Sequence, residues 1–175
     1  IEGFDLGTSP AEYTPERVFG KRVLFTTTNG TRALEHARLA GRTLVGCGVN
    51  RRAIVEAVAD DREVDVLCAG TAGVVGRDDV LAAGAIAHEL QHVRGDDATN
   101  EWADAAIREW AELLTTARAL GRSPTEQFAD ELTRTTHGRT LLDLDCGDDL
   151  PRCANLDSLG VVPERDPRTG EITLA

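Results

Sequence analysis

Three times between residues 21 and 79 the chain repeats one arrangement: an apolar run, a glycine or Asn-Gly pair, then a helical pattern. The first copy is KRVLFTTTNGTRAL, residues 21–34. Val23, Leu24 and Phe25 with the β-branched Thr run read as a strand. Asn29-Gly30 makes the turn, since both residues tolerate positive φ. Thr31 then caps a helix through Ala33, Leu34 and Ala37. The second copy is TLVGC, 43–47, ending at Gly48, with Asn50 capping a helix through Ile54, Val55 and Val58. The third is VDVLCA, 64–69, ending at Gly70 and leading into a long helix over about 79–93. Such units predict an α/β fold with a mixed, largely parallel sheet flanked by helices. Ligands of such sheets bind outside the carboxyl ends of the strands. Residues 26–30, 48–50 and 70–73 are therefore expected on one rim.

Each rim loop carries polar chemistry. Thr27, Thr28, Asn29, Gly30 and Thr31 bring hydroxyls and backbone N–H groups to a helix start, a setting suited to an anion. Arg32 adds a guanidinium fork for phosphate, sulfonate or carboxylate. The competing reading is a β-turn-α corner with a capping Thr. Asn50 is the substrate-contact candidate of the second loop. Asp78 and Asp79 open the third helix, where acids complement its dipole. As a pair beside a rim they also suit a hard cation such as Mg²⁺.

The long helix contains His88-Glu89-Leu90-Gln91-His92, which matches HExxH and raises a zinc metalloprotease as an alternative. That chemistry needs a third ligand from a separate downstream element, and Glu101, Glu109 and Glu112 are the candidates. Beyond Gly95 the pattern is helical over 97–120, with Trp110 and Leu113 on the apolar face, then again from Ser123-Pro124 with Glu126 in the first turn. Residues 169–175 read as an edge strand or a tail.

The formal net charge of −11 disfavours nucleic acid as a partner, and no segment of the 175 residues is long and apolar enough for a membrane span. Lys21 is the single lysine. Cys47, Cys68, Cys146 and Cys153 form no CxxC pair; they suit a reducing cytoplasm, with a Cys146–Cys153 link left open. The sequence has no Met and opens mid-pattern at Ile1, which suggests a processed or truncated piece.

GFDLGTSP, TTTNGTRAL, the CAG loop with its acidic pair and DVLAAG, and THGRTLL…DDLPRCANLD…VVP occur in that order. Together they resemble the 2-phosphosulfolactate phosphatase (ComB-like) family. The resemblance implies one ComB-like phosphatase domain over 1–175, with an α/β fold. It implies Mg²⁺-dependent hydrolysis of (2R)-2-phospho-3-sulfolactate to sulfolactate and phosphate, in coenzyme M biosynthesis or related sulfonate metabolism. The partner would be that small anionic substrate, the location cytoplasmic, and a homodimer is compatible. The family carries an upstream Asp- and Arg-containing strand-helix motif that is absent here, so the chain is expected to be its C-terminal portion. Where the family usually shows Glu-Asp, this chain has Asp78-Asp79.

On this reading Asn29, Arg32, Asp78 and Asp79 are the catalytic candidates, with Asp78 and Asp79 as Mg²⁺ ligands. Thr27, Thr28, Gly30, Thr31, Asn50, His137 and Arg139 are the substrate-binding candidates. The nucleophile, water or an aspartate, stays open. A non-catalytic anion-binding domain is the second alternative.

Overall fold

A computed structural model describes residues 3–95 and 98–175. Helices dominate it: α1 (Pro15–Val18), α2 (Gly30–His36), α3 (Arg51–Val58), α4 (Arg77–Arg94), α5 (Glu101–Ala119), α6 (Pro124–Arg134), α7 (Thr136–Asp143) and α8 (Asp149–Cys153). Two short strands, β1 (Pro163–Arg165) and β2 (Ile172–Leu174), pair antiparallel near the C-terminus.

The helices form where capping and periodicity agree. Asn100 Oδ1 accepts from the N–H groups of Trp102 (3.1 Å) and Ala103 (2.9 Å) and starts α5. The expected start of this helix at Asp97 lies outside the described residues. Ala106, Trp110, Leu113 and Ala117 recur at helical spacing and are all buried. Ser123 and Glu126 close a reciprocal capping box at the start of α6, with Ser123 N donating to Glu126 Oε2 (2.7 Å) and Glu126 N to Ser123 Oγ (3.2 Å).

Trp110 is fully buried and meets Phe128 of α6 edge to face, ring centroids 5.5 Å apart. Around this pair Leu81, Ala85, Leu113, Leu132, Leu150 and Ala154 tie α4, α5, α6 and α8 into one core. Ile54, Val55, Val58, Ile86 and Leu90 form a second core between α3 and α4, under Leu44 and Val64. Helices α4 and α5 cross closely because residue 84 is glycine: a Cβ there would stand 2.2 Å from the carbonyl oxygen of Ala106.

The largely parallel sheet does not form. Among the described residues the only sheet is the β1–β2 pair. Residues 43–47 do pair, but antiparallel and through one bridge, Leu44 to Glu164, with Val45 N donating to Pro163 O and Arg165 N to Thr43 O (both 2.9 Å). Residues 21–27 and 63–70 lie outside any strand ladder. The expectation for 169–175 holds, since this stretch supplies β2. Apolar, β-branched composition marks a segment suited to a sheet, whereas pairing needs a neighbour brought from elsewhere in sequence. For 43–47 that neighbour is β1; for the other two runs no backbone ladder reaches them.

All four cysteines are free, so Cys146 and Cys153 are not linked. Arg51, at the start of α3, is anchored through its guanidinium to Asp157, whose Oδ1 accepts from Arg51 Nε (3.2 Å) and from the backbone N–H of Arg52 (2.8 Å). Burial pushes the Asp157 carboxyl up, but the hydrogen bonds from Arg51 and Arg52 and their charges outweigh it, and the net shift is downward. A depressed carboxylate stabilises the fold above the ordinary Asp range, about 3.9, and that contribution is lost as pH falls through the lowered folded-state value. Asp157→Asn is therefore expected to lower stability at neutral pH and to flatten the acid limb of the stability–pH curve, as read by urea unfolding at a series of pH values. An unchanged acid limb would show that the pair is not linked to folding.

Candidate active site

The acidic start of α4, the N-terminus of α7 and the loop after residues 64–69 meet at one place. His137 Nδ1 lies 2.7 Å from Asp78 Oδ2, and His137 Nε2 lies 2.8 Å from Thr71 Oγ1. Against an ionised carboxylate a neutral imidazole carries its proton on Nδ1, the tautomer that leaves Nε2 to accept from the Thr71 hydroxyl. Thr71, His137 and Asp78 thus form a chain from a hydroxyl through an imidazole to a carboxylate, the arrangement in which a carboxylate fixes the tautomer of a base.

Thr71 is held by a tight turn. Thr71 N donates to Val74 O (2.8 Å) and Val74 N to Thr71 O (2.9 Å). The central residues Ala72 and Gly73 have φ of 51° and 82°. Two successive left-handed residues define a type I′ turn, which glycine adopts freely and alanine does not. The turn is tied to the first loop by Ala72 N donating to Asn29 Oδ1 (3.3 Å). Two of the three expected rim loops, 26–30 and 70–73, are therefore neighbours.

Within the first loop much of the donor capacity is spent locally. Gly30 N donates to Thr27 Oγ1 (2.8 Å), and Thr27 N donates to Thr31 Oγ1 (3.1 Å). Thr28, Thr31 and Arg32 are exposed, as is Arg139 one turn into α7. Asn50 is buried away from any ligand role: its Oδ1 accepts from Cys47 N (2.9 Å), and its Nδ2 donates to Val45 O (3.0 Å) and Val161 O (3.1 Å). With both ends of its amide engaged, it fastens the 43–50 corner to the C-terminal segment.

The second carboxylate sits beside the first. Asp79 Oδ2 accepts from Gly70 N (3.0 Å). A Cβ at Gly76 would stand 2.7 Å from both Asp78 Oδ1 and Asp79 Oδ2, so the two carboxylates converge over bare backbone. Burial and the charge of Asp78 push the Asp79 carboxyl up, against the Gly70 and Ala69 N–H groups and His137. The Cys68 thiol is pushed up by burial and then by the charges of Asp79 and Asp78. Two oxygen-donor side chains whose mutual repulsion a divalent cation would relieve match the chemistry of Mg²⁺, which needs only one or two protein carboxylates and keeps its waters.

The HExxH string fares differently. Glu89 is paired with Arg51 (3.6 Å), while His92 is exposed. Among the described residues no group of three or more His, Cys, Asp or Glu side chains is placed to hold a metal. Among the described residues the HExxH string has no third ligand beside it, and its Glu89 is ion-paired.

The sequence model of the 2-phosphosulpholactate phosphatase family matches residues 1–167. The chain belongs to this family. It is 38% identical over 168 residues to a protein of Synechococcus sp. (strain CC9605) named probable 2-phosphosulfolactate phosphatase, covering 93% of this chain and 65% of that protein. A protein of the same name from Caldanaerobacter subterraneus subsp. tengcongensis is 33% identical over 165 residues, covering 94% of this chain and 64% of its own length. One from Symbiobacterium thermophilum is 37% identical over 164 residues, covering 93% and 66%. The chain thus spans about two thirds of the length of these relatives. No helix among the described residues is long and apolar enough to cross a membrane.

Sequence reasoning singled out Asn29, Asp78, Asp79 and His137, and the fold brings these four together. It placed 70–73 on the rim without singling out Thr71. The signal available was a hydroxyl residue flanked by the Gly70 and Gly73 turn positions. Because Asn29 joins the two loops, Asn29→Ala is expected to lower any turnover run at this site by up to about a hundredfold, the scale of a small misplacement of reacting groups. Its melting temperature should stay near that of the parent. Turnover equal to the parent's would remove Asn29 from the site.

Proposed function

We propose that this chain carries the site of a phosphatase acting on (2R)-2-phospho-3-sulfolactate, releasing sulfolactate and inorganic phosphate with Mg²⁺. The observation that supports it most is the convergence of Asp78, Asp79, His137 and Thr71 beside the Asn29 loop, in a chain of the 2-phosphosulpholactate phosphatase family.

The substrate carries phosphate, carboxylate and sulfonate groups, whereas the protein's net charge is −11. Local cationic and N–H groups must then hold it. In this reading the exposed donors Thr28, Thr31, Arg32 and Arg139 contact the anionic groups, with Thr27 and Gly30 shaping the loop and Asn50 bracing the corner behind it. Asp78 and Asp79 hold Mg²⁺, directly or through its waters. Held there, Mg²⁺ would supply charge neutralisation for the phosphoryl oxygens and the leaving alkoxide. His137 Nε2 is the proton acceptor, kept in that tautomer by Asp78. The attacking group takes the place at Nε2 that the Thr71 hydroxyl fills in this structure. The sulfolactate product suits coenzyme M biosynthesis or related sulfonate metabolism, and four free cysteines suit the reducing cytoplasm.

Phosphate release from 2-phosphosulfolactate, measured with Mg²⁺ and again after chelation by EDTA, tests the reading. Release that disappears with EDTA and returns with Mg²⁺ is expected. Release indifferent to EDTA would remove the metal. Binding of the substrate without turnover by the complete gene product would favour a non-catalytic anion-binding domain.

A further inference from the structure

Cys47 closes the run 43–47, and Cys153 is the last residue of α8. Far apart in sequence, they are brought to one corner of the fold. A Cβ on Gly48 would stand 3.6 Å from the carbonyl oxygen of Cys153, 3.0 Å from Phe128 Cε1 and 3.3 Å from Leu156 Cδ2. The backbone just after Cys47 therefore lies on the end of α8. Two hydrogen bonds hold it there: Asp157 N donates to Gly48 O (3.0 Å), and Leu159 N donates to Val49 O (2.8 Å). The thiols are near enough for the charge of one to act on the other. Burial, then Asp149, then Cys47 push the Cys153 thiol up, against Arg152. Cys68 has different neighbours, the carboxylates of Asp79 and Asp78, and Cys146 Sγ lies 3.5 Å from the Leu144 carbonyl oxygen.

The two thiols differ in their surroundings. Cys47 precedes the turn that opens α3, and its Sγ is 3.4 Å from Asn50 Oδ1. Burial is the largest influence on it and pushes it up, while the N–H groups of Val49 and Asn50 act in the opposite direction. A thiolate at Cys47 is thus received by backbone donors at a helix start. A thiolate at Cys153 meets the Asp149 carboxylate instead. Cys47 is the better attacking group, and Cys153 the resolving one. Both residues are exposed, so a small reagent reaches them.

We propose that Cys47 and Cys153 are a dithiol pair that closes reversibly to a disulfide by exchange with a small disulfide of the glutathione type. The Cys47 thiolate attacks one sulfur of R–S–S–R, breaks that bond and forms a mixed disulfide. The departing R–S⁻ takes up the proton that Cys47 lost. The Cys153 thiolate then attacks the Cys47 sulfur and displaces the second R–S⁻, which takes up the Cys153 proton. Two protein thiols are oxidised to one disulfide, and R–S–S–R is reduced to two R–SH. The link ties α8 to the corner that Asn50 fastens to the C-terminal segment. It closes a loop of roughly 100 residues around α4, α5 and α6, which restricts the unfolded chain far more than the folded one.

The test uses the complete product of the gene, incubated with oxidised glutathione at pH 8. Free thiols are then blocked with iodoacetamide, and the protein is digested without reduction for peptide mapping. The expected product is a monomer in which the peptides of Cys47 and Cys153 are joined and neither carries glutathione or the alkyl group. Its Tm should rise by several degrees and return to the starting value with dithiothreitol. In Cys153→Ser, which lacks the resolving thiol, glutathione should stay on Cys47 and Tm should not rise. Alkylation of Cys47 and Cys153 after the incubation would overturn the proposal. So would glutathione left on either residue of the parent protein, or a link from either one to another cysteine or to a second chain.

Discussion

If the proposed reaction runs at this site, replacing His137 by alanine is expected to cut phosphate release from 2-phosphosulfolactate on the order of 10²–10⁴-fold, the usual worth of a positioned acid–base group. The reason is geometric. His137 touches both Thr71 and Asp78, at 2.8 and 2.7 Å, so its removal takes away this link between the hydroxyl and the carboxylate. The fold should survive, because the imidazole is only half-buried and lies outside both apolar cores. Circular dichroism and Tm should match the parent while kcat falls. Asp78→Asn tests the same chain from its other end. An amide can still hydrogen-bond Nδ1, but it offers an N–H as readily as an oxygen, so the tautomer is no longer fixed. Its kcat should fall with KM changed less. Full activity in His137→Ala would show that the imidazole is a structural link between α4 and α7 and that the reaction is run elsewhere.

The helical half of the fold was legible because its signals are local. Ser123 with Glu126 and the Ala106–Trp110–Leu113–Ala117 stripe each act within a turn or two of helix, whereas the Asn100 cap of α5 was not singled out. The sheet was not, because strand pairing is a relation between distant segments. Residues 21–27 and 64–69 have strand composition, yet ladder formation depends on a neighbour that composition does not name. Among the described residues the one pairing that any of these three runs makes, Leu44 with Glu164, joins segments far apart in sequence and runs antiparallel, against the direction implied by strand-turn-helix units.

The same distinction divides the site residues. Asp78 and Asp79 announce themselves as acids at a helix start, and Asn29 as a turn residue before a helix. Their proximity to His137 depends on α7 packing back onto α6, which no local pattern states. Asn50 shows the converse. As the residue before a helix at a strand's end it looks like a ligand contact. Its amide instead matches three backbone groups, and burial leaves it nothing to offer a substrate.

How α7 comes to present His137 gives the second large effect. The residue after His137 is Gly138, buried against the end of α6, where its N–H donates to Thr135 Oγ1 (3.0 Å). A Cβ on Gly138 would stand 1.8 Å from the carbonyl oxygen of Leu132, 2.8 Å from its carbonyl carbon and 3.2 Å from Thr133 Cα. All three are backbone atoms, so no side chain can swing away, and the helices themselves must separate. Gly138→Ala is therefore expected to cost at least the upper part of the usual overpacking range, about 3 kcal/mol. In a domain of this size that lowers Tm by roughly 5–10 °C. The displacement falls on the residue next to His137, whose contacts with Asp78 and Thr71 tolerate little movement, so kcat should fall as well, even at temperatures where the variant remains folded. Gly41→Ala provides the comparison, since a Cβ there meets nothing within 4 Å and should leave both quantities unchanged. A Gly138→Ala protein with lowered Tm but parental kcat would show that α7 can shift without carrying His137 off Asp78, and would separate the packing of this corner from its chemistry.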